Sequence, residues 1–373
     1  MANKETNIFP KPYAMIGGDG QNSYVKNSGY QKGVVDSAKE MMNEAIADKL
    51  DFKTLGLLDS SSCTFQIVDF GCSVGPNTFT AMQNIIESVD KKYHSQVLQQ
   101  HQNSSLTLEF QAIFNDHYNN DFNTLFANLP PLRKYFAAGV PGSFHGRLFP
   151  KSTLHFAHCS YALHWLCKIP REIMDNTSPA WNKDSIQCTG IVKEVAEAYL
   201  AQYKNDMESF FNARAQELVA GGLMVILLSV RPNGIPMFMT GEGKVYDLLG
   251  TCLVDLAKKG LLSEEKVNSF NLPIYYPTMK ELEDLVQNNG YFTIERMNKL
   301  SIPMTQMTFS PQLICSMIRS VFEGVIKEHF GEEFIDHIFN HFTTKLAENL
   351  IIFKEKDPHR TELFILLKRL NID

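Results

Sequence analysis

Hydrophobic positions along this chain recur with two different spacings. Over 33–50, Val34, Val35, Ala38, Met41, Met42 and Ala45 fall three and four apart, which predicts a helix with one buried face. Short apolar runs at 65–70, 106–114, 153–158 and 222–230 have the length and side-chain types of buried strands, and 191–219 between the last two is helical in pattern. Strands alternating with helices predict a largely parallel α/β sheet. After residue 233 the pattern turns to helices with polar breaks. Thr278 and Glu281 form a capping-box start for a helix over 279–288, and strand-like 291–298 and 362–369 bracket two amphipathic helices, 311–329 and 332–349. The expected organisation is a sheet domain over 1–232, 278–302 and 358–373, with a helical cap, or lid, over 233–277 and 303–357. Residues 1–22 read as a mobile arm, and the Gln- and Ser-rich stretch 95–105 as a surface excursion.

The strongest chemical signal sits where the strand 65–70 runs into Gly71, Cys72, Ser73, Val74 and Gly75. Small residues let the backbone approach a ligand closely, and a helix starting near Asn77 would offer unpaired N–H groups and a positive dipole end. Asp69 just before the turn narrows the ligand. A carboxylate is unwelcome beside a pyrophosphate but favourable beside an ammonium or sulfonium, which points to S-adenosylmethionine rather than NAD. By spacing alone the turn also fits an ordinary strand-to-helix connection. The next strand ends at Asp116, placed to accept both hydroxyls of a ribose, although 45 positions separate it from Gly71 and helix capping is the competing role. The segment Asn115–Asn123 is rich in Asn and Asp and reads as a site-forming loop. Residues 139–144 read as a second loop, with Ser143 available to hydrogen-bond and Phe144 to stack on a purine.

Composition removes several classes of function. No run among the 373 residues approaches the roughly 18 apolar residues of a membrane span. The polar N-terminus has no apolar signal region, so cytosol is the expected compartment. Seven cysteines without a CxxC pair are expected to be free thiols. A net charge of −6 gives no basic face for nucleic acid. His337 and His341 have the spacing of a metal pair but lack a third ligand nearby, which fits a solvated helix face, while His155 and His158 fall on opposite faces of a strand.

The motifs DFGCSVGPNT, NDHYNNDFNTLF, GVPGSFHGRLFPKSTLHFAHCSYALHWL and SFNLPIYYPT, in this order, resemble the plant SABATH carboxyl methyltransferases, from about Met15 to the C-terminus. That resemblance implies a Rossmann-like methyltransferase sheet with a mostly helical cap, a homodimer, and S-adenosylmethionine as methyl donor. Contacts to that cofactor are implied for Tyr24, Cys72, Asn77, Asp116, His117, Ser143 and Phe144, with Asp69 near its methionine end. Gln31 and Trp165 are implied to hold the carboxylate of the methyl acceptor, and Tyr161 and His164 to line its pocket. A magnesium site is implied at Asn182, Asn268, Phe270 and Asn271, with Asn268 standing where the family usually has Asp. Within the family the N-terminal NSGYQKGVVDSAKE looks most like the loganate and farnesoate branch. Methyl transfer to loganic acid, giving loganin, is the first expectation. Farnesoic acid follows, then salicylate, benzoate or jasmonate, and last a xanthine nitrogen. The choice of acceptor is expected to rest on 231–250 and 303–316.

Overall fold

In the computed structural model the described residues are 13–58, 62–100, 107–302, 310–349 and 361–372. Among them, strands β1 (Ser62–Phe70), β2 (Thr107–Asp116), β3 (Phe136–Pro141), β4 (Leu154–Ser160), β5 (Leu218–Val230), β6 (Phe292–Leu300) and β7 (Thr361–Arg369) form one sheet, ordered β3-β2-β1-β4-β5-β7-β6. The first five are mutually parallel, and β7 runs antiparallel between β5 and β6. The helices are α1 (Tyr24–Asn27), α2 (Gly29–Lys49), α3 (Pro76–Gln100), α4 (Phe122–Ala127), α5 (Lys193–Glu217), α6 (Gly241–Lys258), α7 (Glu264–Ser269), α8 (Met279–Asn289), α9 (Pro311–Phe330) and α10 (Ile335–Glu348).

Both faces of the sheet are covered, which is why its strands read as unbroken apolar runs. On β5, Leu223, Val225 and Leu227 join the core shared with α2 and α3, while Met224, Ile226 and Leu228 join the core shared with α5 and α8. The capping box that starts α8 is present as expected, with Thr278 and Glu281 each bonding the other's main chain.

Two features place a site at one edge of this sheet. Strand order reverses between β1 and β4, and such a switch point opens a crevice outside the carboxyl ends of the strands. Both helical excursions also spring from that edge. The chain leaves β5 at Val230, builds α6 and α7, and returns where Arg231 bridges Thr278. It leaves β6 at Leu300, opposite Glu362, builds α9 and α10, and returns into β7. Helices α6, α7, α9 and α10 pack around a core of their own that includes Leu253, Phe270, Ile326, Ile338 and Phe342.

Several expectations need correction. Residues 13–22 do not form an arm: Ile16 donates its N–H to the Ser320 carbonyl of α9 at 3.1 Å, and Gly18 donates to Asp121 at 3.0 Å. Their polar composition concealed Tyr13 and Met15, which line the site cleft. Residues 1–12 of that expectation lie outside the described residues. The stretch 95–100 continues α3, and 101–105 lies outside the described residues. The expected loop 139–144 begins as strand β3, which pairs only with β2. An edge strand with an exposed Phe136 and Pro141 as its last residue shows no clean alternation to read.

A buried ion pair fastens the loop after β3. Arg214 in the last turn of α5 bonds Glu217 at 2.7 Å and the carbonyls of Phe144 and Gly146 at 2.7 and 2.9 Å, over the face of Phe70. Glu217 in turn accepts the amide N–H of Phe149 at 3.0 Å. Removing one partner would strand the other charge out of water. Glu217→Ala is expected to lower the urea-unfolding free energy by about 3–5 kcal/mol, and a loss under about 1 kcal/mol would contradict this role.

Candidate active site

The first part of the site is built where β1 ends beside β2. The chain turns at Gly71 and Ser73 with φ of 76° and 51°. A Cβ on Gly71 would stand 2.3 Å from that of Ala162, so only glycine lets this turn meet the turn after β4. Ser73 is held in its left-handed conformation from both sides. Its N–H donates to Asp116 Oδ2 at 2.7 Å, and its carbonyl accepts from Asn120 at 3.0 Å. The other Asp116 oxygen accepts from the His117 N–H at 2.7 Å. Burial raises the Asp116 carboxyl to about 6, against the lowering effect of those two amides. Asp69 faces α2 and α3, with one oxygen 2.8 Å from His158 Nδ1 and the other accepting from the Thr78 hydroxyl in the first turn of α3. His158 Nε2 is buried with no partner among the described residues.

Two adjoining clefts open above these strand ends. One is lined by Tyr24, Gln31, Asp69, Cys72, Asn77 and His158, among others. The second includes Asp116, His117, Ser143, Phe144, Tyr161 and Trp165, and the two share Tyr24, Gly71, Ser73 and Ser160. Their linings contain two carboxylates and neither lysine nor arginine. Burial, with His145 nearby, pushes the His117 pKa down to about 4, so that ring adds no charge at neutral pH. Burial and the two carboxylates push the Tyr24 phenol upward, so it stays protonated. The local field therefore suits a cation and repels phosphate. Phe144 is buried with its ring edge-on to Phe210, and it lines the second cleft.

The structure thus brings together every sequence-predicted cofactor and acceptor residue except His164. That side chain lines neither cleft. Its Nε2 bonds the Ser229 carbonyl at 2.9 Å, its ring lies 4.5 Å from that of Tyr276, and burial lowers its pKa to about 4. Its ring also lies 5.7 Å from that of Tyr161, which does line the second cleft. Asn77 is also modified as a contact. Its amide N–H groups are occupied by Ser28, at 3.1 Å to both the carbonyl and the hydroxyl, so its oxygen is what remains for a ligand. Burial holds the Cys72 thiol well above its ordinary pKa, and it contributes as a neutral group.

Gln31 lines the first cleft and Trp165 the second, while Tyr24 lines both. Gln31 makes no side-chain hydrogen bond among the described residues, and its Oε1 is buried without a partner. Trp165 is fixed through its main chain, which pairs with Ile274, and its ring rests 5.6 Å from that of Phe322 on α9. Its indole N–H has no hydrogen-bond partner among the described residues. One residue here escaped sequence reasoning. Glu362, at the start of β7, accepts the hydroxyls of both Tyr30 and Tyr161. The available signal was an acid opening an otherwise apolar strand.

The residues expected to hold magnesium do not fit a hard cation. Asn182 donates to Asn271 Oδ1 at 2.7 Å and to the Gln187 carbonyl at 3.0 Å, and Tyr199 also points its hydroxyl at Asn271 Oδ1. The group left over is Asn271 Nδ2, a buried donor that calls for an acceptor. The Phe270 ring packs against Phe330, and Asn268 on α7 supplies no carboxylate. No cluster of three or more His, Cys, Asp or Glu able to hold a metal exists among the described residues. A magnesium ion prefers carboxylate and water oxygens in near-octahedral array, which this donor set does not offer. At the other histidines, His341 turns toward Asp255 at 3.3 Å and His337 is exposed.

Known proteins resemble this chain along nearly its whole length. The chain is 49% identical over 358 residues to loganic acid O-methyltransferase of Catharanthus roseus, covering 96% of this chain and 94% of that one. It is 44% identical to farnesoic acid carboxyl-O-methyltransferase of Arabidopsis thaliana, covering 95% and 98%. A solved structure of loganic acid methyltransferase with SAH superposes with a TM-score of 0.90 at 49% identity, covering 96% of this chain and 99% of that one. The family profile described as SAM dependent carboxyl methyltransferase matches residues 10–370, and this chain belongs to that family.

Proposed function

We propose that this S-adenosylmethionine-dependent carboxyl methyltransferase converts loganic acid to its methyl ester, loganin, with farnesoic acid as the next acceptor to consider. The observation that carries this reading is a pair of uncharged side chains, Gln31 in one cleft and Trp165 in the adjoining one, neither with a side-chain hydrogen bond among the described residues. The relatives at 49% and 44% identity support the choice of acids.

A carboxylic acid with a pKa near 4 is ionised at neutral pH, so its oxygen is already the nucleophile and needs no general base. Bound S-adenosylmethionine supplies a methyl group on a positively charged sulfur. The task of the chain is to aim. The Gln31 amide and the Trp165 indole donate hydrogen bonds without cancelling the negative charge, as a guanidinium would. Asp69 and Asp116 set a negative field for the cationic cofactor. Asp116 accepts from its ribose hydroxyls, and Phe144 stacks on its purine. The layer of α6 and α9 behind Trp165 excludes water. Alignment of this kind supplies up to roughly 7–11 kcal/mol in favourable cases. As part of the same reading, the enzyme works as a homodimer in the cytosol, supported by the family resemblance and by seven free cysteines. No described helix is long and apolar enough to cross a membrane.

The direct test is labelled-methyl transfer to a panel of loganic, farnesoic, salicylic, benzoic, jasmonic and indoleacetic acids and one xanthine. Loganic or farnesoic acid is expected to be the best acceptor, and turnover of the xanthine alone would overturn the reading. A second expectation concerns pH. The Asp116 carboxyl titrates near 6 in the free protein, above the ordinary carboxylate value, so it is half protonated there and loses acceptor capacity as pH falls. Affinity for S-adenosylhomocysteine should therefore rise from about pH 5 to about pH 7 and then level, and Asp116→Asn should flatten the slope and weaken binding about tenfold. An unchanged slope in Asp116→Asn, read by calorimetry, would contradict the ribose role.

A further inference from the structure

Tyr161, which lines the second cleft, is bonded to a buried carboxylate that methyl transfer does not consume. Glu362 is 3% exposed, and its two oxygens take hydroxyl protons from distant parts of the chain. Tyr30 of α2 donates to Oε1 at 2.6 Å, and Tyr161 in the turn after β4 donates to Oε2. The two rings meet edge to face, their centroids 6.3 Å apart. Each tyrosine is coupled to one of the two free donors. Tyr30 immediately precedes Gln31. Tyr161 opens the turn that reaches Trp165, and the direction of that turn is set by its left-handed backbone and by its N–H bond to the Leu227 carbonyl at 2.9 Å. A non-glycine residue in that conformation persists only where its surroundings hold it. The anchor is itself fixed, since Glu362 pairs with Ser229 of β5 on one side and Leu300 of β6 on the other.

We propose that Glu362 is a positioning residue for methyl transfer, binding Tyr30 and Tyr161 to one carboxylate and so fixing Gln31 and Trp165 relative to each other. The inference rests on Gln31 and Trp165 being the carboxylate donors.

The test uses Glu362→Gln, whose amide keeps one accepting oxygen where the carboxylate has one for each tyrosine, and Tyr30→Phe, because Tyr30 lines neither cleft. Both variants of the full chain are assayed with the best acid of the panel. We expect kcat to fall about tenfold or more in each, with S-adenosylhomocysteine affinity by calorimetry within about twofold of the parent. The double variant should lose little beyond Glu362→Gln alone, because both changes break the same clamp. If Glu362→Gln fails to fold, Tyr30→Phe decides. A kcat within about twofold of the parent, or cofactor affinity lost in parallel with kcat, overturns the proposal. Trp165→Ala assayed alongside separates the two readings. Full activity in that variant refutes the carboxylate donors themselves, whereas its loss beside a fully active Glu362→Gln refutes only the role of Glu362.

Discussion

A carboxylate oxygen and a sulfonium methyl attract each other, and a protein helps them react only if it neutralises neither beforehand. That constraint explains the choice of side chains around the two clefts. Among the described residues, lysine and arginine are absent from both linings, and each cleft holds one carboxylate and one neutral donor, Asp69 with Gln31 and Asp116 with Trp165. A guanidinium beside the acceptor would bind it more tightly, but it would lower the charge of the attacking oxygen and compete with the sulfur for it. Uncharged donors give direction while leaving the charges to each other.

The fold serves this constraint by rigidity at the sheet and adjustability above it. The turn after β1 and the end of β2 are joined through Asp116 and Ser73, and the loop carrying Ser143 and Phe144 is tied to α5 through Arg214 and Glu217. The proposed cofactor side is therefore set by main-chain bonds and a buried ion pair. The acceptor side is assembled differently. Gln31 comes from α2, Trp165 from the turn after β4, and Phe322 from a helix inserted between β6 and β7. Changes in that inserted layer can reshape the pocket while leaving the cofactor groups in place.

Much of this was legible in the sequence, for identifiable physical reasons. Buried strands and amphipathic helices announce themselves by spacing, so β1, β2, β4 to β7, α5 and α8 to α10 fell close to where the pattern put them. Asp69 and the glycine turn were visible because few residue types tolerate a backbone that turns so sharply beside a ligand. Missed elements have opposite qualities. β3 is an edge strand with little to alternate against, and residues 13–22 are held by one main-chain bond to α9 and one to the Asp121 side chain, which composition cannot reveal. His164 lies outside the two described clefts, its ring 5.7 Å from that of Tyr161 and 4.5 Å from that of Tyr276. The magnesium expectation failed on amide orientation: a sequence shows that Asn182 and Asn271 are present, not that one spends its protons on the other's oxygen. Glu362 became visible only once β7 was seen to begin at the site edge, 201 positions from Tyr161. Part of the expected acceptor-selecting region, 303–309, lies outside the described residues.

The most direct measurement is a crystal structure of this chain with S-adenosylhomocysteine and its acid acceptor bound together. Gln31 Nε2 and Trp165 Nε1 should both lie at about 2.7–3.2 Å from the same carboxylate, with one of its oxygens facing the sulfur. A carboxylate held instead by a charged side chain, or either donor turned away from the sulfur, would contradict the mechanism.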